Sequence, residues 1–98
     1  MANDATPEVQ DNAAASRFEI RVGDEIAGFA EYRSRGDRIV FTHTEIADAF
    51  EGHGLGSALA RGALDEARAR GLRVVPRCPF IKKYIEEHEE YAELVGSD

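Results

Sequence analysis

Ninety-eight residues with 43% hydrophobic content suit one small domain, near the size at which a single core suffices without staples. Twelve basic residues against 19 acidic ones leave a formal charge of −7, which argues against a nucleic-acid or anionic-membrane partner and fits a cationic substrate better. The lone Cys78 excludes an internal disulfide, and no apolar run is long enough to span a bilayer or reads as a secretion signal, so a reducing, cytoplasmic setting is expected.

The first 15 residues, MANDATPEVQDNAAA, follow neither a helical nor a strand period. They read as a disordered leader, with the ordered domain over 16–95 and a frayed tail over 96–98. RFEIRV then alternates Phe18, Ile20 and Val22 with charged neighbours, and GDE turns the chain into IAGFAEY, a hairpin pattern. RSRGD supplies a second turn. RIVFTHTEI, from Arg38 to Ile46, is rich in β-branched and aromatic residues and gives a third strand of an antiparallel meander. Beyond the glycines at 52, 54 and 56, SALARGALDEARARG sets Leu59, Ala60, Ala63, Leu64 and Ala67 on one arc of a helical wheel, and Gly71 stops the helix. LRVVPRC is a short buried strand; the helix before it has crossover length, so it should lie parallel to the third strand. Pro79 opens a last helix in which Phe80, Tyr84, Ile85, His88 and Tyr91 recur at helical spacing. The order β-β-β-α-β-α makes an α/β (α+β sandwich) domain with a central mixed sheet.

The glycine segment FEGHGLGS is not a P-loop, which needs Lys and then Ser or Thr after its last glycine; here Ser57 and Ala58 follow Gly56. It is not a dinucleotide fingerprint either, because the position three after Gly54 is Ser57. What remains is a strand, a loop bare of side chains and a helix whose first N–H groups point into the loop, a cradle suited to a pyrophosphate. A zinc deaminase is also excluded: HTE and PRC echo its elements, but it needs a second cysteine, and no metal ligand spacing exists among His43, His53, His88 and Cys78.

EGHGLGSALARGAL resembles the acyl-coenzyme A signature of the GNAT superfamily of N-acetyltransferases, with Gly54 and Gly56 at its paired small positions. Glu51 stands where that superfamily usually has Gln or Arg. FTHTEI, FEGHGLGSAL and VVPRCPFIKKYI occur in the order and spacing of the short YjdJ-type branch, so the resemblance covers residues 17 to 95. It implies acetyl-CoA as cofactor and an amine acceptor on a protein or small molecule; the acidic charge argues against nucleic-acid or membrane partners, and a monomer or weak dimer is expected. Larger relatives carry two helices between the first two strands; here only GDE joins them, which implies an open, shallow acceptor site.

The resemblance also assigns roles. Gly52, His53, Gly54, Leu55, Gly56 and Ser57 would hold the pyrophosphate, and the backbone N–H groups of Ile46 and Ala47 would clamp pantetheine and the oxyanion. His43 and Glu45, two apart on a strand, share a face, and Glu45 matches the base of related enzymes. Cys78 would lie near the thioester, either as a reactive thiol at a helix N-terminus or as a small buried hydrophobe. Tyr84 is the candidate proton donor to the leaving thiolate and equally a member of the core stripe. Lys82 and Lys83, the only lysines, are candidate phosphate partners or a solvated basic pair. The alternative on the same fold is a coenzyme A-binding module or interaction domain without turnover.

Overall fold

The computed structural model describes residues 6–96, which form one five-stranded sheet in the order β1-β2-β3-β4-β5. The strands are β1 (Glu8–Asn12), β2 (Arg17–Val22), β3 (Glu25–Arg35), β4 (Arg38–Ile46) and β5 (Arg73–Pro76). Helix α1 (Leu55–Ala69) crosses from β4 to β5, and α2 (Pro79–Glu87) follows β5. The first four strands are antiparallel neighbours and β5 lies parallel to β4. This is the compact α+β meander with β-α-β-α that the residue pattern implied. Among the described residues no helix is long and apolar enough to cross a membrane.

The segment expected to be a disordered leader departs from that reading. Its first five residues lie outside the described ones, but Glu8–Asn12 form the edge strand β1, paired antiparallel with β2 from Glu8↔Arg21 to Asn12↔Arg17. Only Val9 in it is apolar enough to register as a strand signal, and it packs where Gly62 leaves α1 bare: a Cβ at Gly62 would lie 2.7 Å from the Val9 Cβ. The other anchors are polar. Asp11 accepts from the Tyr32 hydroxyl at 2.6 Å and pairs with Arg70 at 3.0 Å, while the Asn12 amide donates to Glu19. No helix separates the first two strands, as expected, but the junction is the 3₁₀ turn Ala13–Ala15, and the GDE turn joins the second strand to the third.

The expected frayed tail is also partly held. Gly96 donates to the Val74 carbonyl at 2.9 Å, and Val95 bridges Val74 beside β5; residues 97 and 98 lie outside the described ones. The last helix stops at Glu87 and continues as a 3₁₀ turn, Glu89–Leu94. Ile81, buried completely, takes the core place assigned to Phe80, which is 41% exposed.

Both helices bury their apolar arcs on one face of the sheet. Leu59, Ala63 and Leu64 of α1 and Ile81 and Ile85 of α2 share a cluster with Phe18, Ile20, Phe41 and Val74. Each such large side chain contributes about 1.5–3 kcal/mol when fully buried, so this face carries the stability. The opposite face carries Arg17, Glu19, Phe29, Glu31, His43 and Glu45, which alternate with core residues along β2, β3 and β4. Glu19 is buried there; the hydrogen bond from Asn12 and the pairing with Arg17 hold its carboxyl below the usual carboxylate range against the opposing effect of burial.

Candidate functional site: a notch between two parallel strands

Strands β4 and β5 pair only from Arg38↔Arg73 to Phe41↔Pro76. There the N–H groups of Arg77 and Cys78 both donate to the Phe41 carbonyl, at 3.1 and 2.9 Å, and the chain turns away into α2. A β-bulge at the same level shifts the β3–β4 register between Tyr32↔Phe41 and Glu31↔His43. Residues 42–46 therefore have β3 on one side and an open edge on the other. Ala47 donates its N–H to the Ala27 carbonyl at 2.8 Å. Antiparallel alternation then directs the N–H groups of His43 and Glu45 to β3 and those of Thr44 and Ile46 to the open edge. Of the expected Ile46–Ala47 clamp, Ile46 faces the notch, whereas the Ala47 donor is used inside the sheet. Thr44 takes its place, since donors on one edge of a strand are two residues apart, not adjacent.

The three glycines have different reasons to be glycine. Gly52 and Gly54 adopt φ values of 86° and 72°, left-handed conformations that side chains rarely take, and a Cβ on either would meet nothing within 4 Å. Gly56 has an ordinary backbone, but its Cβ would lie 2.9 Å from Cζ of Phe80. Helix α1 begins at Leu55 with Gly54 as N-cap and no side-chain cap; its first internal bond runs from the Ala58 N–H to the Gly54 carbonyl, 3.2 Å. The N–H groups of Leu55, Gly56 and Ser57 thus have no acceptor within the helix, and with the positive end of the helix dipole they attract an anion.

The glycine loop, the open edge of β4 and the start of α2 enclose a cleft of about 460 Å³. Ile46, Phe50, Leu55 and Phe80 give it apolar walls, and Glu45 and Glu51 border it. Glu51, where the resemblance leads one to expect Gln or Arg, adds negative charge beside the cradle rather than a donor.

Glu45 and His43 share the helix-free face as expected, with His43 Nε2 3.1 Å from Glu45 Oε1 and both side chains more than half exposed. Cys78 reaches across the notch, its Sγ 3.3 Å from the Thr44 hydroxyl, yet it is 3% exposed. A nucleophilic thiol needs access, whereas this one belongs to the buried core beside the notch and does not line the cleft. Tyr84 is buried away from the cleft, stacked on His88 at 3.9 Å with its hydroxyl turned to Arg61, and so is placed as a core residue rather than a proton donor to the cleft. Lys82, Lys83 and His53 are exposed and do not line the cleft. Thr44, Phe50 and Phe80 are the lining residues that the sequence reading missed. For Phe80 the signal was its place beside Pro79 at a helix start, where a side chain can project past the core.

A family model of the GCN5-related N-acetyltransferases matches residues 17–94. Protein NATD1 of Gallus gallus and of Mus musculus is 40% identical over 58 residues, 58% of this chain and 53% of theirs. Homo sapiens NATD1 has the same identity over 51% of its length, so the chain spans about half the length of the curated relatives it matches. An NMR solution structure of a GCN5-like protein from Staphylococcus aureus superposes with a TM-score of 0.70, covering all of this chain and 93% of that one at 23% identity, which is a likeness of fold. With the family match extending over β2 through the last 3₁₀ turn, the chain belongs to the GCN5-related N-acetyltransferase family.

Proposed function

We propose that this domain is an acetyl-CoA-dependent N-acetyltransferase acting on a primary amine, in the short YjdJ-type branch and in a cytoplasmic setting. The observation that carries the reading is the continuity of an uncapped α1 N-terminus with the open edge of β4 in one cleft. The residues present fit acetyl-CoA. The Leu55, Gly56 and Ser57 N–H groups suit its pyrophosphate, the Ile46 and Thr44 donors suit an amide-bearing arm, and Phe50 and Phe80 suit its apolar stretches.

When bound, acetyl-CoA supplies a thioester carbonyl open to an amine. The amine must first lose a proton to become neutral, and Glu45, which lines the cleft on β4, takes it in this proposal, directly or through water. His43, hydrogen-bonded to Glu45, orients that carboxylate. The amine nitrogen forms a C–N bond as the C–S bond breaks, the sulfur leaves with the bonding pair, and of the two protons shed by the ammonium one ends on the thiol and one in solvent. Backbone N–H groups on the open edge stabilise negative charge on the carbonyl oxygen.

The test is amine-dependent release of free thiol by the wild type and Glu45→Gln, with acetyl-CoA affinity measured in parallel. Glu45→Gln should show a 10²–10⁴-fold lower rate, loss of the base limb of the pH–rate profile and unchanged affinity. An unaltered profile removes Glu45 as base. Affinity without turnover on a broad amine panel leaves a coenzyme A-binding module on the same fold.

A further inference from the structure

The helix-free face of the sheet is divided by charge. On β3, Phe29, Glu31, Arg33 and Arg35 alternate on this face; on β4, Glu45 and His43 stand opposite Phe29 and Glu31, and Val40 opposite Arg33. The carboxylates lie on the notch side of the β4 bulge and the arginines on the other. Arg33, Arg35, Thr42 and Arg77 wall a hollow of about 230 Å³ over Val40, in a chain whose formal charge is −7. Among the described residues neither Arg33 nor Arg35 has a carboxylate within ion-pair distance, while Arg17, Arg68 and Arg70 all do. These two arginines therefore present unneutralised charge next to the proposed acceptor site.

Resting on the acetyltransferase reading, we propose that the acceptor is a lysine in an extended peptide segment that carries an acidic residue four positions away, on the same face of the extended chain. The spacing supports this. Glu45 stands opposite Phe29, which is four residues from Arg33 along β3, roughly 13 Å at the strand rise. A peptide laid along the strands places a carboxylate at the same interval from its lysine. The lysine then sits by Glu45 and its acidic neighbour in the arginine hollow. A polyamine would meet the arginines with like charge, and a single amino acid would cover little of a face this open. The lysine nitrogen forms its C–N bond and releases thiol and proton in the balance given above.

The test uses the full chain and three fluorescent peptides that differ only in the flank of one lysine: acidic, neutral or basic. Two quantities are read, kcat/KM with acetyl-CoA and the peptide Kd by anisotropy without it. The expected result is at least a tenfold advantage of the acidic over the basic flank in both, weakening as salt rises. In Arg33→Glu/Arg35→Glu, both exposed positions, that order inverts while calorimetric acetyl-CoA affinity is unchanged. Equal use of acidic and basic flanks, an order preserved in the double variant, or a free polyamine outcompeting every peptide overturns the proposal. Absence of turnover on all amines defeats the acetyltransferase reading instead, and the anisotropy measurement still decides the peptide preference.

Discussion

Replacing Gly56 by Ala tests whether the cleft is shaped by one glycine and one ring. The new Cβ would sit 2.9 Å from Phe80 Cζ and 3.4 and 3.6 Å from its two Cε atoms. Carbon atoms pack best at about 3.5–4.0 Å, so the ring tip must retreat by roughly 0.6–1.1 Å. Phe80 is 41% exposed and can swing, which keeps the stability cost small. A loss of about 1 kcal/mol from disturbed packing is offset by a gain of up to about 1 kcal/mol from Ala over Gly in a helix, leaving the variant within about 1 kcal/mol of wild type. The cleft responds more strongly, because Phe80 is one of its walls. Coenzyme A affinity should fall at least tenfold, or about 1.4 kcal/mol. Gly56→Ala/Phe80→Ala should bind no more weakly than Phe80→Ala alone, since the clashing ring is gone. Calorimetry on the four proteins gives the coupling directly. Unchanged affinity in Gly56→Ala, or strictly additive losses in the double variant, would show that the Phe80 ring does not shape the cleft through Gly56.

Two further outcomes concern how β1 is held. Gly62→Ala places a Cβ 2.7 Å from two Val9 carbons, so where an ordinary helical Gly→Ala gains about 1 kcal/mol, this one should lose about 1–2 kcal/mol in denaturant titration, with faster exchange of the β1 amides; a more stable variant with protected β1 amides would show that the strand does not pack there. Burial, with the Asp11 carboxylate as acceptor, pushes the Tyr32 phenol up to about 12 from an ordinary 10.0. The folded state therefore favours the neutral phenol, and its contribution, complete below pH 10, is lost as pH rises toward 12. Tyr32→Phe should be less stable at neutral pH by about 1–2 kcal/mol and should lack that part of the alkaline loss; identical alkaline slopes in the two proteins would exclude the Asp11–Tyr32 pairing.

Where the chain signals structure by periodic apolar residues, the sequence was readable. Strand β4 runs from Arg38 to Ile46 as its β-branched and aromatic run implied, and all five residues of the α1 arc are buried. The parallel placement of β5 followed from the crossover length of α1. β1 was not readable, because it is held by Val9 alone and by polar contacts to residues such as Tyr32, 21 positions away. The phase of α2 was ambiguous for a related reason: Ile81 and Phe80 both fit a helical stripe with Tyr84 and Ile85, and only the packing of the Phe80 ring on Gly56 separates them.

For the site, local chemistry was legible and direction was not. The glycine loop, the uncapped helix start and the shared face of His43 and Glu45 follow from nearest neighbours in sequence. Which N–H groups face the notch depends on the β3 register and on the point where β5 leaves the sheet. The burial of Cys78 and Tyr84 likewise depends on how α2 packs against α1, which no short motif encodes.

The proposed function requires the N–H groups at the start of α1 and along the open edge of β4 to hold a coenzyme A molecule. It is tested most directly by calorimetric titration of the domain with acetyl-CoA and with desulfo-coenzyme A, which cannot form a disulfide with Cys78. Both ligands are expected to bind at one site per chain with micromolar affinity. Heat from neither ligand would contradict it, and would leave Gly52 and Gly54 as residues that only turn the chain.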